Sequence, residues 1–227
     1  MSLQRRMVAE GLGSAMLLAV VVGSGIMAER LAGGNVAIAL LANAIATGAG
    51  LVALILMFGP VSGAHFNPVV TLSEAWQGHV AAREILPYIA VQIVGAYAGV
   101  AAAHGMFGEA LFSASVHVRT GAAQWWSECV ATFGLIGVII GCSRSRPAVT
   151  PFAVAAYITA AYWFTASTSF ANPAVTLARS FTNTFAGIRP TDAPGFVAAQ
   201  LVGGAAATLL FHWLYPVAAK PMEVPHG

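Results

Sequence analysis

Apolar residues along this chain fall into six runs long enough to cross a bilayer, near 7–28, 36–58, 84–106, 125–142, 148–166 and 194–215. An apolar helix needs about 20 residues to span. Charges and turn residues gather between the runs, in 29–35, 78–83, 108–123, 143–147 and 187–194. Two shorter apolar stretches, about 66–77 and 170–182, are left over and cannot span. The pattern predicts an all-α membrane protein, a single membrane domain over 1–227. It has six transmembrane helices plus two re-entrant half-helices.

The runs repeat. "PYIAVQIVGAYAG" from Pro87 matches "PGFVAAQLVGGAAA" from Pro194, aligning Gln92 with Gln200 and Gly95 with Gly203. "AEGLGSAMLLAVVVGSG" from Ala9 matches "SECVATFGLIGVIIGCS" from Ser127, aligning Glu10 with Glu128. The halves are about 1–107 and 120–217. Three spans per half is an odd number, so the second half enters from the opposite side. An inverted repeat of this kind places its functional site near the midplane, where broken helices meet.

Composition agrees with the pattern. The chain is 58% hydrophobic and 8% charged, with a mean hydropathy of +0.78. A soluble domain carries about 25% charged residues. A net charge of +2 gives no argument for nucleic acid. Cys129 and Cys142 lie thirteen positions apart on one predicted helix, about 20 Å, too far for a disulfide. The first apolar run is long enough to span and lacks a clear small-residue cleavage site, so no cleavable signal is expected. Basic loop residues set orientation. With both termini cytoplasmic, Arg5, Arg6, Arg83, Arg144, Arg146 and Lys220 lie inside. Arg30, Arg119, Arg179 and Arg189 lie outside. The modest excess inside favours an inner-membrane protein with both ends in the cytoplasm.

Two phrases interrupt the apolar runs, "HFNPVVTLSEAW" from His65 and "FANPAVTLARSF" from Phe170. Asn is a strong N-cap, and Pro suits the first helical position. Asn67-Pro68 and Asn172-Pro173 therefore read as helix starts. Each following helix of about nine residues covers about 13 Å, half the hydrocarbon thickness. Such a break is tolerated only where it lines a watery cavity or is buried in protein. Two half-helix starts meeting at the midplane bring partial positive charge to one point, and the Asn67 and Asn172 amides add donors there. Cations and protons meet an electrostatic barrier. The extended segments before each Asn supply carbonyl acceptors along the wall, from Gly63, Ala64 and His65 and from Thr168 and Phe170. His65 reads as a wall-organising residue; no second ligand is spaced to make a metal site, and no cofactor is expected.

Glu10 and Glu128 need a reason to sit inside a membrane. Each either accepts hydrogen bonds from backbone donors of the re-entrant loop in its own half or takes part in a proton relay. Gln92 and Gln200 read as polar glue between spans, and Gly95, Gly99, Gly203 and Gly204 as sites of close helix packing.

"SGAHFNPVVTL" and "FANPAVTLARSF", with six spans and an inverted repeat, resemble the aquaporin and aquaglyceroporin family, the major intrinsic proteins, over essentially the whole chain. The resemblance implies an hourglass fold and a homotetramer in the lipid bilayer. Each subunit would have its own pore, passive to water or small neutral solutes. It also implies a four-residue selectivity filter on the outer side of the midplane, mapped here to Thr47, Tyr162, Ser169 and Val175. The span 5 member is Tyr162 counting from Pro151 or Ala160 counting back from Asn172. The family pattern has Arg where this chain has Val175, and water channels usually have an aromatic where it has Thr47. Glycerol facilitators carry Asp where it has Thr176. Losing a guanidinium and an aromatic widens the constriction and weakens selection for water. Arg179 lies one helical turn further out, about 6 Å. It reads either as an outer vestibule charge that attracts polar or anionic solutes or as a snorkelling residue that ties down the loop. The wide filter resembles the AqpS-type bacterial branch associated with arsenic resistance. That resemblance implies metalloid hydroxides, arsenite among them, and methylated arsenicals as substrates.

Two other readings stand beside this one. A general water and glycerol channel is the alternative within the class. An ion-coupled transporter using Glu10 or Glu128 is the alternative of another class. No His precedes Glu and no Gly-x-Ser-x-Gly occurs, so neither a zinc-hydrolase nor a serine-hydrolase signature supports an enzyme.

Overall fold

A computed structural model describes residues 1–215. Lys220, counted above on the cytoplasmic side, and the last two positions of the 120–217 repeat lie outside the described residues.

The helices run α1 (Leu3–Leu31), α2 (Val36–Ser62), α3 (Pro68–Trp76), α4 (Ala82–Phe107), α5 (Ala122–Ser145), α6 (Thr150–Phe164), α7 (Pro173–Arg179) and α8 (Ala193–Leu214). No strand occurs among the described residues. Local chemistry sets the ends. Asn35 caps α2 by accepting from the Ala37 and Ile38 amides, and Gly63 and Gly108 close α2 and α4 in the left-handed conformation.

Five helices, α1, α2, α4, α5 and α8, are long and apolar enough to span by length and composition. The fifth expected run, 148–166, differs. Pro147 opens a 3₁₀ turn over Pro147–Val149, and α6 itself has 15 residues. The 3₁₀ turn adds about 6 Å to about 22 Å of α-helix, so the pair still covers most of a hydrocarbon layer of about 30 Å. The last turn ends where Thr165 turns extended and its hydroxyl bonds back to the Ala161 carbonyl at 2.6 Å.

Two crossings carry the bundle, α1 on α4 and α5 on α8, and they match residue for residue. A Cβ at Gly95 would overlap the Gly11 carbonyl, and one at Gly203 would overlap the Cys129 carbonyl. Only glycine lets these backbones approach so closely. Between them lies a core that includes Leu18, Val22, Tyr88, Ile136, Ile140 and Phe196. Large apolar side chains such as Leu86, Val94, Trp126 and Trp213 point outward, as a lipid-facing surface requires. The arrangement is the hourglass: long helices around two half-helices, α3 and α7, whose starts meet in the middle.

The 108–121 loop is folded down onto the 180–189 segment. Ser113 N–H donates to the Phe181 carbonyl at 3.0 Å, Ser115 N–H to Ser180 at 3.0 Å, and Arg189 N–H to His117 at 2.7 Å. His104, fully buried at the end of α4, bridges the Leu111 carbonyl at 2.9 Å and the Thr182 hydroxyl at 2.7 Å. At the opposite face Arg6 pairs with Glu84 at 3.0 Å and donates to the Tyr88 hydroxyl at 2.6 Å.

Candidate functional site

The two half-helix starts are tied to each other. Asn67 caps α3 by accepting from the Val69 amide at 2.9 Å, and its side-chain N–H donates to the Ala171 carbonyl at 2.8 Å. Asn172 caps α7 by accepting from the Ala174 and Val175 amides at 3.0 and 3.3 Å, and it donates to the Phe66 carbonyl at 2.8 Å. Each amide spends one N–H on the other half's loop. Its second N–H is left for the cavity that both residues line.

Each loop hangs from a buried carboxylate. Glu10 accepts from the His65 amide at 2.9 Å, the Phe66 amide at 2.8 Å, the Ser62 hydroxyl at 2.6 Å and Gln92 Nε2 at 2.8 Å. Glu128 accepts from the Phe170 amide at 2.9 Å, the Ala171 amide at 2.8 Å and Gln200 Nε2 at 2.6 Å. The glutamines also donate to Thr71 at 2.9 Å and Thr176 at 2.8 Å, hydroxyls inside the half-helices. With that many donors aimed at it, each carboxylate is an acceptor in a closed network and serves as a loop anchor.

The expectation of extended loops is corrected here. Gly63, Ala64 and Phe66 have positive φ, and so do Thr168, Ser169 and Ala171 at the matching places in the second copy. Residues in the left-handed region break the alternation of a strand, in which successive carbonyls point to opposite sides. The carbonyls of Gly63, Ala64, His65, Ser169 and Phe170 accept no hydrogen bond among the described residues, and these residues line the cavity. They are a file of acceptors. Thr168, expected on this wall, stands one step behind it, with its hydroxyl 3.5 Å from Arg119 Nη1. His65 sits on the wall, its ring 3.1 Å from the Thr71 hydroxyl and against Tyr88.

The cavity, of about 250 Å³, runs from Glu74 and Ser143 at one end, past the two asparagines, to Arg179 at the other. Most of its remaining wall is apolar, with Leu17, Val21, Leu51, Leu135, Val154 and Ile158, and Thr47, Thr150 and Tyr162 add hydroxyl side chains. A passing solute therefore finds most of its hydrogen bonds on one side, which keeps binding weak enough for release.

Thr47, Tyr162, Ser169 and Val175 all line the cavity toward the Arg179 end. The Thr47 and Tyr162 hydroxyls lie 3.1 Å apart. Ala160, the other candidate from α6, is exposed on the outside. The Ser169 hydroxyl is buried without a partner. Arg179 does not stand out in a vestibule. It is 2% exposed, its Nε donates to the Ala186 carbonyl, and its guanidinium stacks on Phe170 at 3.4 Å from the ring centroid. Arg119, read from sequence only as a loop charge, covers the same ring at 5.2 Å. Its Nε donates to Gly187 and its Nη1 to Ser167, at 2.8 and 3.3 Å. Nothing local to position 119 signals this, because the loop reaches Phe170 only by folding over the second half.

Among the described residues, no three His, Cys, Asp or Glu side chains cluster so as to hold a metal, and Cys129 and Cys142 are free thiols. What remains is a helical membrane bundle with a one-sided polar lumen and a dipolar centre, the anatomy of a channel. The family model described as Major intrinsic protein matches residues 1–158. Aquaglyceroporin AqpS of Rhizobium meliloti is 57% identical over 212 residues, covering 93% of this chain and 91% of that one. Aquaporin NIP3-1 of Oryza sativa subsp. japonica is 30% identical over 65% of this chain and 48% of its own length. In fold, the X-ray structure of the aquaglyceroporin from Plasmodium falciparum superposes with a TM-score of 0.69 at 18% identity, over 94% of this chain and 96% of that one. The chain belongs to the major intrinsic protein family; it is a multi-pass membrane channel and not an enzyme.

Proposed function

We propose that this channel conducts small uncharged hydroxylated solutes through a widened filter, with metalloid trihydroxides such as arsenite, and methylated arsenicals, as its particular substrates. The observation that carries this is Val175 on the lumen, together with Thr47, where the family pattern has Arg and water channels usually have an aromatic. A trihydroxide offers three donors and several acceptors. The unpaired carbonyls at 63–65 and 169–170 accept its hydrogen bonds, while the Asn67 and Asn172 amides donate to its oxygens. The apolar wall opposite tolerates a methyl group. Similarity to aquaglyceroporin AqpS supports a lumen wider than a water filter. In this reading the protein lies in the inner membrane as a homotetramer, both termini cytoplasmic, with the Arg179 end outside.

Stopped-flow light scattering on proteoliposomes given water, glycerol or arsenite tests it. Arsenite and glycerol enter well above the rate of empty liposomes; arsenite entry equal to empty liposomes overturns the substrate class. Val175→Arg narrows the filter and cuts arsenite and glycerol entry about tenfold or more while water entry falls far less, as expected when a polar fork fills a neutral opening. A general water and glycerol channel is the result if glycerol passes and arsenite does not.

A further inference from the structure

Val175 leaves the filter without its own cation, yet Arg179 lines the same lumen and Arg119 packs beside it. Both lie against one ring. Arg179 stacks on Phe170 at 3.4 Å and Arg119 at 5.2 Å. Backbone carbonyls hold each from behind: Ala186 takes Arg179 Nε, and Gly187 and Ser167 take Arg119. The Arg179 carbonyl in turn receives the Ile188 amide at 3.2 Å, so the arginine is fixed at both its backbone and its side chain. Neither arginine has a carboxylate within ion-pair distance among the described residues. Arg179 Nη1 and Nη2 make no hydrogen bond among them, Nε being the only one of its side-chain donors with a partner, and Arg179 lines the cavity. A buried cation on the cavity wall with its fork unspent is arranged to meet oxygen atoms of something passing through.

We infer that Arg179, held in place by Phe170 and Arg119, is the charge-selecting residue of this lumen: it excludes cations and protons and receives solute oxygens, from one helical turn beyond the position where Val175 omits a guanidinium. Phe170 and Arg119 are positioning residues. Phe170 occupies the place in the second loop that His65 holds in the first, so the two loops differ: an imidazole against Tyr88 in one, a ring bearing two guanidiniums in the other. The consequence is a filter that is wide at the level of Val175 and charged just beyond it. Such a lumen admits bulky neutral or monoanionic oxygen-bearing solutes without leaking sodium or protons.

The inference rests on the reading that the lumen conducts solute, and one experiment separates their failures. Proteoliposomes carrying a pH dye or a sodium-sensitive dye under an imposed potassium diffusion potential report proton and sodium leak, and light scattering on the same vesicles reports glycerol entry. In Arg179→Leu the ratio of cation leak to glycerol entry rises about tenfold or more, the order expected when one unit charge a few ångströms from the path is removed. Phe170→Leu, which keeps both guanidiniums but removes their shared support, raises the ratio by a smaller factor. Adding Val175→Arg to Arg179→Leu lowers the cation leak itself again, because a guanidinium returns to the lumen. Arg30→Gln, a rim arginine paired with Glu109, leaves both readouts unchanged. An unchanged ratio in Arg179→Leu with glycerol still entering overturns the inference. If Arg179→Leu does not reach the vesicle, an unchanged ratio in Phe170→Leu does so. Wild-type vesicles that admit no glycerol, arsenite or water overturn instead the reading of the lumen as a conduit.

Discussion

Glu128 shows how much one side chain decides. It receives two consecutive loop amides and Gln200, with no second carboxylate to share them. Gln at this position keeps the shape but presents an NH₂ to a backbone N–H. One buried amide then loses its acceptor, at a cost of about 1–3 kcal/mol. For a chain of this size Glu128→Gln should lower the melting temperature by about 2–10 °C, read by fluorescence-monitored melting in detergent, and should reduce solute entry because Phe170 and Ala171 shift. A melting curve and flux equal to wild type would remove the anchor role. The anchors were legible in the sequence because the repeat aligns Glu10 with Glu128. The left-handed conformations of Ala64, Phe66, Thr168, Ser169 and Ala171 were not, since side-chain identity gives no sign of them and only the finished network imposes them. Arg179 was legible as a charge near the lumen; its fold-back onto Phe170 depends on a ring and a loop that become neighbours only in three dimensions.

At the level of elements, the half-helices are held by the helices that cross beside them. Gly203 lets α8 touch α5 at the Cys129 carbonyl, and that contact keeps Gln200 on Glu128. Gly203→Leu should force the pair apart, lose most of the folded protein on size-exclusion chromatography, and damage α7 more than α3. The start of α8 carries a pH-dependent clasp. Asp192 accepts Arg189 Nη2 at 2.8 Å and the Arg119 amide at 2.9 Å. Burial pushes its carboxyl up, but the Arg189 guanidinium and the Arg119 N–H outweigh this and hold it below the ordinary carboxylate value. A depressed folded value means the stabilisation is complete above the ordinary unfolded value and fades as pH falls through the depressed one. Melting temperature should therefore drop as pH goes from about 5 to about 3, and Asp192→Asn should flatten that slope; equal slopes would assign the acid loss elsewhere. The six apolar runs were readable from their length. The shortness of α6 was not, because hydropathy cannot tell a 3₁₀ turn at Pro147 from another turn of α-helix.

For the molecule as a whole, the balance of donors and acceptors speaks for passive flow. Neither buried carboxylate has a spare face toward the lumen from which to pass a proton; both are occupied by loop amides and glutamines. Glycerol entry at a fixed gradient should be the same with an imposed proton gradient of either sign as with none, measured in the same vesicles; a change that follows the sign of the proton gradient would restore a coupled mechanism. The overall hourglass could be read from the two Asn-Pro phrases and their repeat. The folding of the 108–121 loop over the second half could not, since it rests on bonds such as Ser113 to Phe181 and Arg189 to His117 between segments with no sequence pattern in common.

The exchanged bonds of Asn67 and Asn172 set where such a molecule can be controlled. Each asparagine grips the opposite loop, so neither half can slide or tilt at the midplane without breaking or straining both exchanged bonds. The waist behaves as a rivet. Throttling of flow belongs at a rim, where a single contact such as Arg6 with Glu84 can open and leave the middle intact.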